Sequence, residues 1–117
     1  MNLLSEVRPS KEEIKKLVEQ TVAIIGDKWS LLIIGELEFG KSPNRFNGLM
    51  RELQPISSRT LSIKLAKLSD HGIVKKAFED ASPPYTQYSL TKKGKDLCNA
   101  LKAMADWNLK WCSNQEK

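Results

Sequence analysis

The sequence predicts a mainly α-helical domain that carries one β-hairpin wing, the winged helix-turn-helix arrangement. Three observations predict it. Apolar residues recur at helical spacing along most of the chain, and a hydroxyl, amide or carboxylate side chain stands ahead of each run. A hydroxyl- and base-rich helical segment beginning near Ser57 leads directly into two strand-like segments, 73–78 and 85–90. The positive charge is concentrated there. Residues 55–78 hold Arg59, Lys64, Lys67, Lys75 and Lys76 against the single acid Asp70, whereas bases and acids cancel over residues 1–54.

The elements follow in order. Residues 1–9 read as a flexible lead punctuated by Pro9. Ser10 before Lys11-Glu12-Glu13 supplies an N-cap with acids in the first turn. Ile14, Leu17, Val18, Thr21, Ile24 and Ile25 then share a helical face that Gly26 stops. Asp27 caps a second helix from Lys28 to about Phe39, with Trp29, Leu32, Ile33 and Leu37 as its apolar stripe. Gly40 ends it, and Lys41-Ser42-Pro43-Asn44 is a turn. Asn44 can cap a short third helix, Arg45 to Leu53, that buries Phe46, Leu49, Met50 and Leu53.

After the turn Gln54-Pro55-Ile56, Ser57 or Ser58 caps a fourth helix that runs to about His71. Leu61, Leu65 and Leu68 line one face of it. Arg59, Ile63, Ala66 and Lys67 point the other way, flanked by Thr60, Ser62 and Lys64. Gly72 supplies a left-handed stop. The two strands are separated by 79–84, where prolines block further pairing. Thr91 caps a last helix, 92–112, with Leu97, Leu101, Met104, Ala105, Trp107, Leu109 and Trp111 among its apolar positions. Residues 10–112 thus form one domain, and 113–117 a tail.

Bulk properties bound the function. A chain of 117 residues is one domain, or one domain with a dimerisation appendage. A net charge of +5 and a pI near 9.3 favour a polyanionic partner. Two cysteines, Cys98 and Cys112, are too few for a disulfide scaffold and lack metal-site spacing. With no membrane-length apolar run and no leader pattern, a reducing cytoplasm is expected and no membrane partner. His71, the single histidine, stands at a helix end, where it serves the helix dipole. No phosphate-binding glycine loop, metal-ligand spacing or paired carboxylate motif is found, so no enzyme, cofactor or metal is expected.

A capped basic helix followed by a ribbon presents a definite chemistry to DNA. The helix N-terminus offers free N–H groups and a positive dipole end to a phosphate. Ser57, Ser58, Thr60 and Ser62 surround it, and Arg59 can fork onto guanine O6 and N7. Ile63 suits a thymine methyl, although a lone exposed Ile also needs no explanation. Lys64 and Lys67 supply charge on the same helix. Lys75 and Lys76 alternate in facing, so at most one points at DNA, and either can instead guard an edge strand. Asn44 and Arg45 start the third helix, where backbone contact or simple capping both fit. Trp107 and Trp111, four apart on the last helix, fit either core packing or a subunit contact.

The residues carry a family resemblance. Ile25-Gly26-Asp27-Lys28-Trp29-Ser30-Leu31-Leu32-Ile33, Arg45-Phe46-Asn47-Gly48-Leu49, Ile56-Ser57-Ser58-Arg59-Thr60-Leu61-Ser62 and Tyr88-Ser89-Leu90-Thr91-Lys92-Lys93-Gly94 follow one another in the order and spacing of the HxlR-type winged helix-turn-helix regulators, relatives of the MarR group. The resemblance implies a recognition helix at 58–71 and a wing at 76–85, which brings Tyr85 to the DNA side. It implies a homodimer joined through the first and last helices, with Leu17, Thr21, Leu101, Met104, Trp107 and Trp111 at the interface. It further implies a double-stranded, pseudo-palindromic operator and leaves open a small-molecule effector. Many members carry a sensor Cys-Pro before the first conserved helix. Here Lys16 and Leu17 stand in that place, so a thiol switch would have to use Cys98 or Cys112. The alternative function is a protein–protein interaction module that uses the same fold without specific DNA binding.

Overall fold

The computed structural model describes residues 8–40 and 44–112. Most of the predicted lead, the turn at 41–43 and the tail at 113–117 lie outside the described residues. Five helices and one hairpin follow in the order α1 (Lys11–Ile25), α2 (Lys28–Phe39), α3 (Phe46–Glu52), α4 (Ser58–Asp70), β1 (Val74–Glu79), β2 (Tyr85–Leu90) and α5 (Lys92–Trp111).

Local chemistry sets the helix boundaries. Ser10 and Glu13 close a capping box on α1: the Glu13 N–H donates to the Ser10 hydroxyl and the Ser10 N–H to the Glu13 carboxylate. Asp27, Ser57 and Thr91 cap α2, α4 and α5 by accepting from the N–H three residues on. At the end of α4 Gly72 has φ +72°, the Ile73 N–H donates to the Leu68 carbonyl at 2.9 Å, and the Gly72 N–H donates to Ser69 at 3.0 Å. This is a full Schellman closure, with Leu68 and Ile73 both buried beneath it.

The start of α3 departs from expectation. Arg45, not Asn44, stands at its N-cap, without a side-chain cap bond, and the helix begins at Phe46. The reason lies in the wing. The Asn44 carbonyl accepts from the Tyr88 N–H at 2.8 Å, and Arg45 pairs antiparallel with Gln87. Residues 44–45 thus act as a short third strand against β2, which holds them extended and keeps Asn44 from capping.

The core lies where α2, α4, α5 and the hairpin meet. Ile33 and Ile34 of α2, Leu61 and Leu68 of α4, Leu49 of α3, Val74 and Leu90 of the hairpin and Cys98 of α5 are all buried. The hairpin is antiparallel, with Val74 opposite Leu90 and Glu79 opposite Tyr85. The first turn of α5 is bonded to the end of α4. The Thr91 hydroxyl donates to the Gly72 carbonyl, the Thr91 N–H to Ile73 and the Lys93 ammonium to the His71 carbonyl at 2.7 Å. A Cβ on Gly94 would run into the Ile73 carbonyl, so this close approach requires glycine.

By contrast, α1 has no buried residue; Ile24 and Ile25 at its end rest on the core, while Ile14, Leu17, Val18 and Val22 are exposed. The far half of α5 is also exposed, including Met104, Trp107 and Trp111. Core packing is therefore the wrong reading for both tryptophans: Trp107 is 60% exposed and Trp111 59%.

Candidate nucleic-acid interface

The buried stripe Leu61, Leu65 and Leu68 orients α4, so the opposite stripe of Arg59, Ile63, Ala66 and Asp70 faces solvent. Ile63 is 51% exposed there. No carboxylate pairs with Arg59 among the described residues. Ser57 settles the cap: its hydroxyl oxygen accepts from the Thr60 N–H at 3.0 Å, and its own hydrogen reaches the Thr60 oxygen at 3.0 Å. Ser58 and Arg59 follow in the first turn, where backbone N–H groups have no partner within the helix. Both are exposed.

The two flanks of α4 differ. On one side Ser62, Ala66, Ser69 and Asp70 share a cleft of about 320 Å³ with Lys76 and Tyr88 of the wing. The strand alternation is thereby resolved: Lys76 is on the α4 side of the hairpin, and Lys75, opposite Ser89, is on the other. On the other side of α4, Lys64 and Lys67 turn toward the start of α2. Their ammonium groups lie 3.4 and 3.8 Å from the Asp27 carboxylate. Burial pushes the Asp27 carboxyl up, but the bonds from the Ser30 N–H and hydroxyl and the Lys64 charge outweigh it and leave its pKa below the ordinary value.

A second cationic feature joins α3 to the wing. The Arg45 guanidinium lies 3.5 Å from the centroid of the Tyr85 ring, a cation–π stack. They line an open groove of about 740 Å³ with Asn47, Arg51, Thr86 and Tyr88, and among the described residues no acid contributes to its wall. The structure therefore brings Ser57, Ser58, Arg59, Thr60, Ser62 and Ile63 together on α4, with Lys76 beside them. Arg45 and Tyr85 form a separate cluster, and Lys64 and Lys67 are engaged by Asp27. Asp27 was legible only as a helix cap; its reach to α4 depends on packing between distant segments. The Arg45–Tyr85 stack was equally hidden, because it depends on the extended strand at 44–45.

Comparison with known proteins agrees with this geometry. The model of the HxlR-like helix-turn-helix family matches residues 24–116. An HTH-type transcriptional regulator of Methanothermobacter thermautotrophicus is 34% identical over 99 residues, covering 85% of this chain and 74% of that protein. One from Halalkalibacterium halodurans is 37% identical over 90 residues, covering 77% and 79%. Among solved structures, the reduced form of the transcriptional regulator YodB from B. subtilis superposes with a TM-score of 0.73 at 28% identity, covering 84% of this chain and 94% of YodB. The reduced redox regulator HypR gives 0.71 at 33% identity, covering 80% and 90%. A described MarR-family regulator from Enterococcus faecalis V583 gives 0.78 at 26%, covering 93% and 97%. With its helix-turn-helix, its wing and a family match over most of its length, the chain belongs to the HxlR-like helix-turn-helix family and is a DNA-binding transcriptional regulator.

Proposed function

We propose that this regulator is a cytoplasmic homodimer that reads a pseudo-palindromic operator through the outer stripe of α4. The observation that carries the reading is the exposed Arg59, unpaired with any carboxylate among the described residues, beside Ser58 and Ile63 toward the N-terminal end of a helix whose other face is core. Those groups offer a fork for guanine, N–H groups for phosphate and a surface for a thymine methyl. Lys76, Arg45 and Tyr85 extend the surface toward the backbone, with Asn44 holding Arg45 in place through β2. Lys75, on the other side of the hairpin, has at most an edge role. Two copies related by a two-fold axis place their α4 helices in successive major grooves about 34 Å apart.

The test is selection of bound sequences from random duplex DNA, followed by titration of the selected duplex over a range of salt. A palindromic consensus with half-sites one helical turn apart, and an affinity that falls steeply with salt, is the expected outcome. Enrichment of no sequence would favour the interaction-module reading.

Among the similar structures, HypR is described as a redox regulator, and YodB is seen in reduced and diamide-treated forms. This chain has Lys16 where the resemblance puts a sensor cysteine. Cys98 is 2% exposed, its thiol 3.6 Å from the Gly94 carbonyl; burial and then Glu38 push its pKa up, with Lys102 opposing. A thiol held protonated and covered reacts poorly. DNA binding is therefore expected to be the same before and after diamide in the Cys112→Ser variant. A reversible loss there, abolished by adding Cys98→Ser, would make Cys98 a sensor.

A further inference from the structure

The contact between Asp27 and α4 has the makings of an anion site, yet the anion in it is the protein's own. The N-terminus of α2, Lys64 and Lys67 converge on one point, and the Asp27 carboxylate occupies it at 3.4 and 3.8 Å from the two ammonium groups. The carboxylate is not free to leave. One oxygen accepts from the Ser30 N–H at 2.8 Å and the other from the Ser30 hydroxyl at 2.8 Å, and Ser30 is fully buried. The lysines, on long flexible stems, can leave; the charge they would leave behind stays in place. A phosphate approaching this flank of α4 therefore meets a fixed negative group, and each lysine that turns to it must give up Asp27.

We infer that Asp27 is a positioning residue that withholds Lys64 and Lys67 from the DNA backbone and so holds down sequence-independent affinity. The inference rests on the reading of α4 as the DNA-facing helix. Attraction to phosphates is the same on every sequence, whereas contacts from Arg59 and Ile63 depend on the base pair. A recognition helix with two free lysines on its flank would gain affinity everywhere and lose discrimination. Neutralising them within the chain keeps lysines that bind and orient α4 against α2 without offering their charge to any duplex.

The experiment uses the full chain and a labelled random-sequence duplex, with affinity measured over a salt series. Asp27→Asn is the key variant, because asparagine caps a helix as well as aspartate does and removes the charge; its amide nitrogen can donate to the Ser30 hydroxyl where the second carboxylate oxygen accepted from it. It is expected to steepen the dependence of log affinity on log salt by roughly one to two, as about 0.9 is added for each phosphate engaged. At low salt its affinity for random duplex should rise about 3- to 30-fold. Adding Lys64→Gln and Lys67→Gln to Asp27→Asn should restore the original slope, whereas the same pair in the wild-type background should change it little. Asp27→Ser, which also keeps a cap, serves if the Asn variant melts early. An unchanged slope in both Asp27 variants would overturn the inference. So would a loss of about two in the slope when the lysines are replaced in the wild type, since they would then already be on the DNA. A wild-type chain that binds no duplex at any salt is a distinct result, which removes the DNA-facing reading of α4 and this inference with it.

Discussion

Arg59 is exposed near the N-terminus of α4 and has no carboxylate beside it among the described residues, so its guanidinium is available for a bidentate fork. Arg59→Ala is expected to weaken binding to the selected operator by about 1–3 kcal/mol and to relax preference at one base pair, which competition with single-substitution duplexes would show. An equal loss on random DNA would make Arg59 a phosphate contact instead. Asp27 leads to a prediction about acid stability. Its pKa is lowered in the folded chain from an ordinary value of 3.8, so the ionised form is favoured by folding. That stabilisation is fully present above pH 3.8 and is lost as pH falls through the lower folded value. Chemical denaturation between pH 5 and the acid limit should show a decline that is shallower in Asp27→Asn; parallel curves would mean that Asp27 titrates alike folded and unfolded. At this scale the sequence was only partly legible. Arg59, Lys64 and Lys67 looked alike as bases on one helix, and what separates them is a carboxylate contributed by a different helix.

Elements were far more legible than contacts, because caps, stops and apolar spacing are written locally. Ser10, Asp27, Ser57, Thr91 and Gly72 each do the job that their type and position predict. The strand at 44–45 escaped because two residues carry no periodicity, and only β2 makes them extended. Gly72 allows a quantitative check. Its φ of +72° is a left-handed conformation in which an L side chain costs roughly 1–2 kcal/mol. A Cβ there meets nothing closer than the Lys93 side chain at 3.9 Å, so the cost is conformational and not steric. Gly72→Ala should lower stability by about that amount in a denaturant titration, and Gly72→Asn by less. Gly94→Ala should be worse than Gly72→Ala, because its Cβ meets backbone that cannot yield. The reverse order would place the tight joint elsewhere.

For the whole molecule, the proposed homodimer would cover apolar side chains that a single chain leaves exposed. Leu17 is 48% exposed, Met104 55% and Trp107 60%, and Thr21, whose hydroxyl donates to the Leu17 carbonyl at 2.9 Å, is exposed as well. Leu101 differs: it is half-buried against the chain's own core. The proposed homodimer should sediment as a dimer at micromolar concentration. Truncation after Met104, which removes Trp107 and Trp111, should give monomers or aggregates; a well-folded dimer after that cut would put the interface elsewhere. The sequence made the helical content and the wing legible, together with the basic face. It could not show that the tryptophans face outward, since spacing on a helix gives a face but not what covers it.

The joint between α4 and α5 has a mechanical consequence. Thr91, Lys93 and Gly94 fasten the first turn of α5 to the carbonyl groups of His71, Gly72 and Ile73, just past the end of α4. A helix of 20 residues is roughly 30 Å long; Leu97, Cys98 and Leu101 hold its first half against the core, so α5 is a lever that is pinned at the tip of α4, fixed to the core midway and free of it over roughly its last 15 Å. Bending that free half by about 10° sweeps its end through about 3 Å. Read in reverse, a modest displacement imposed near Trp107 becomes a small, stiffly transmitted torque at the tip of α4, with little slack in the bonded joint to absorb it.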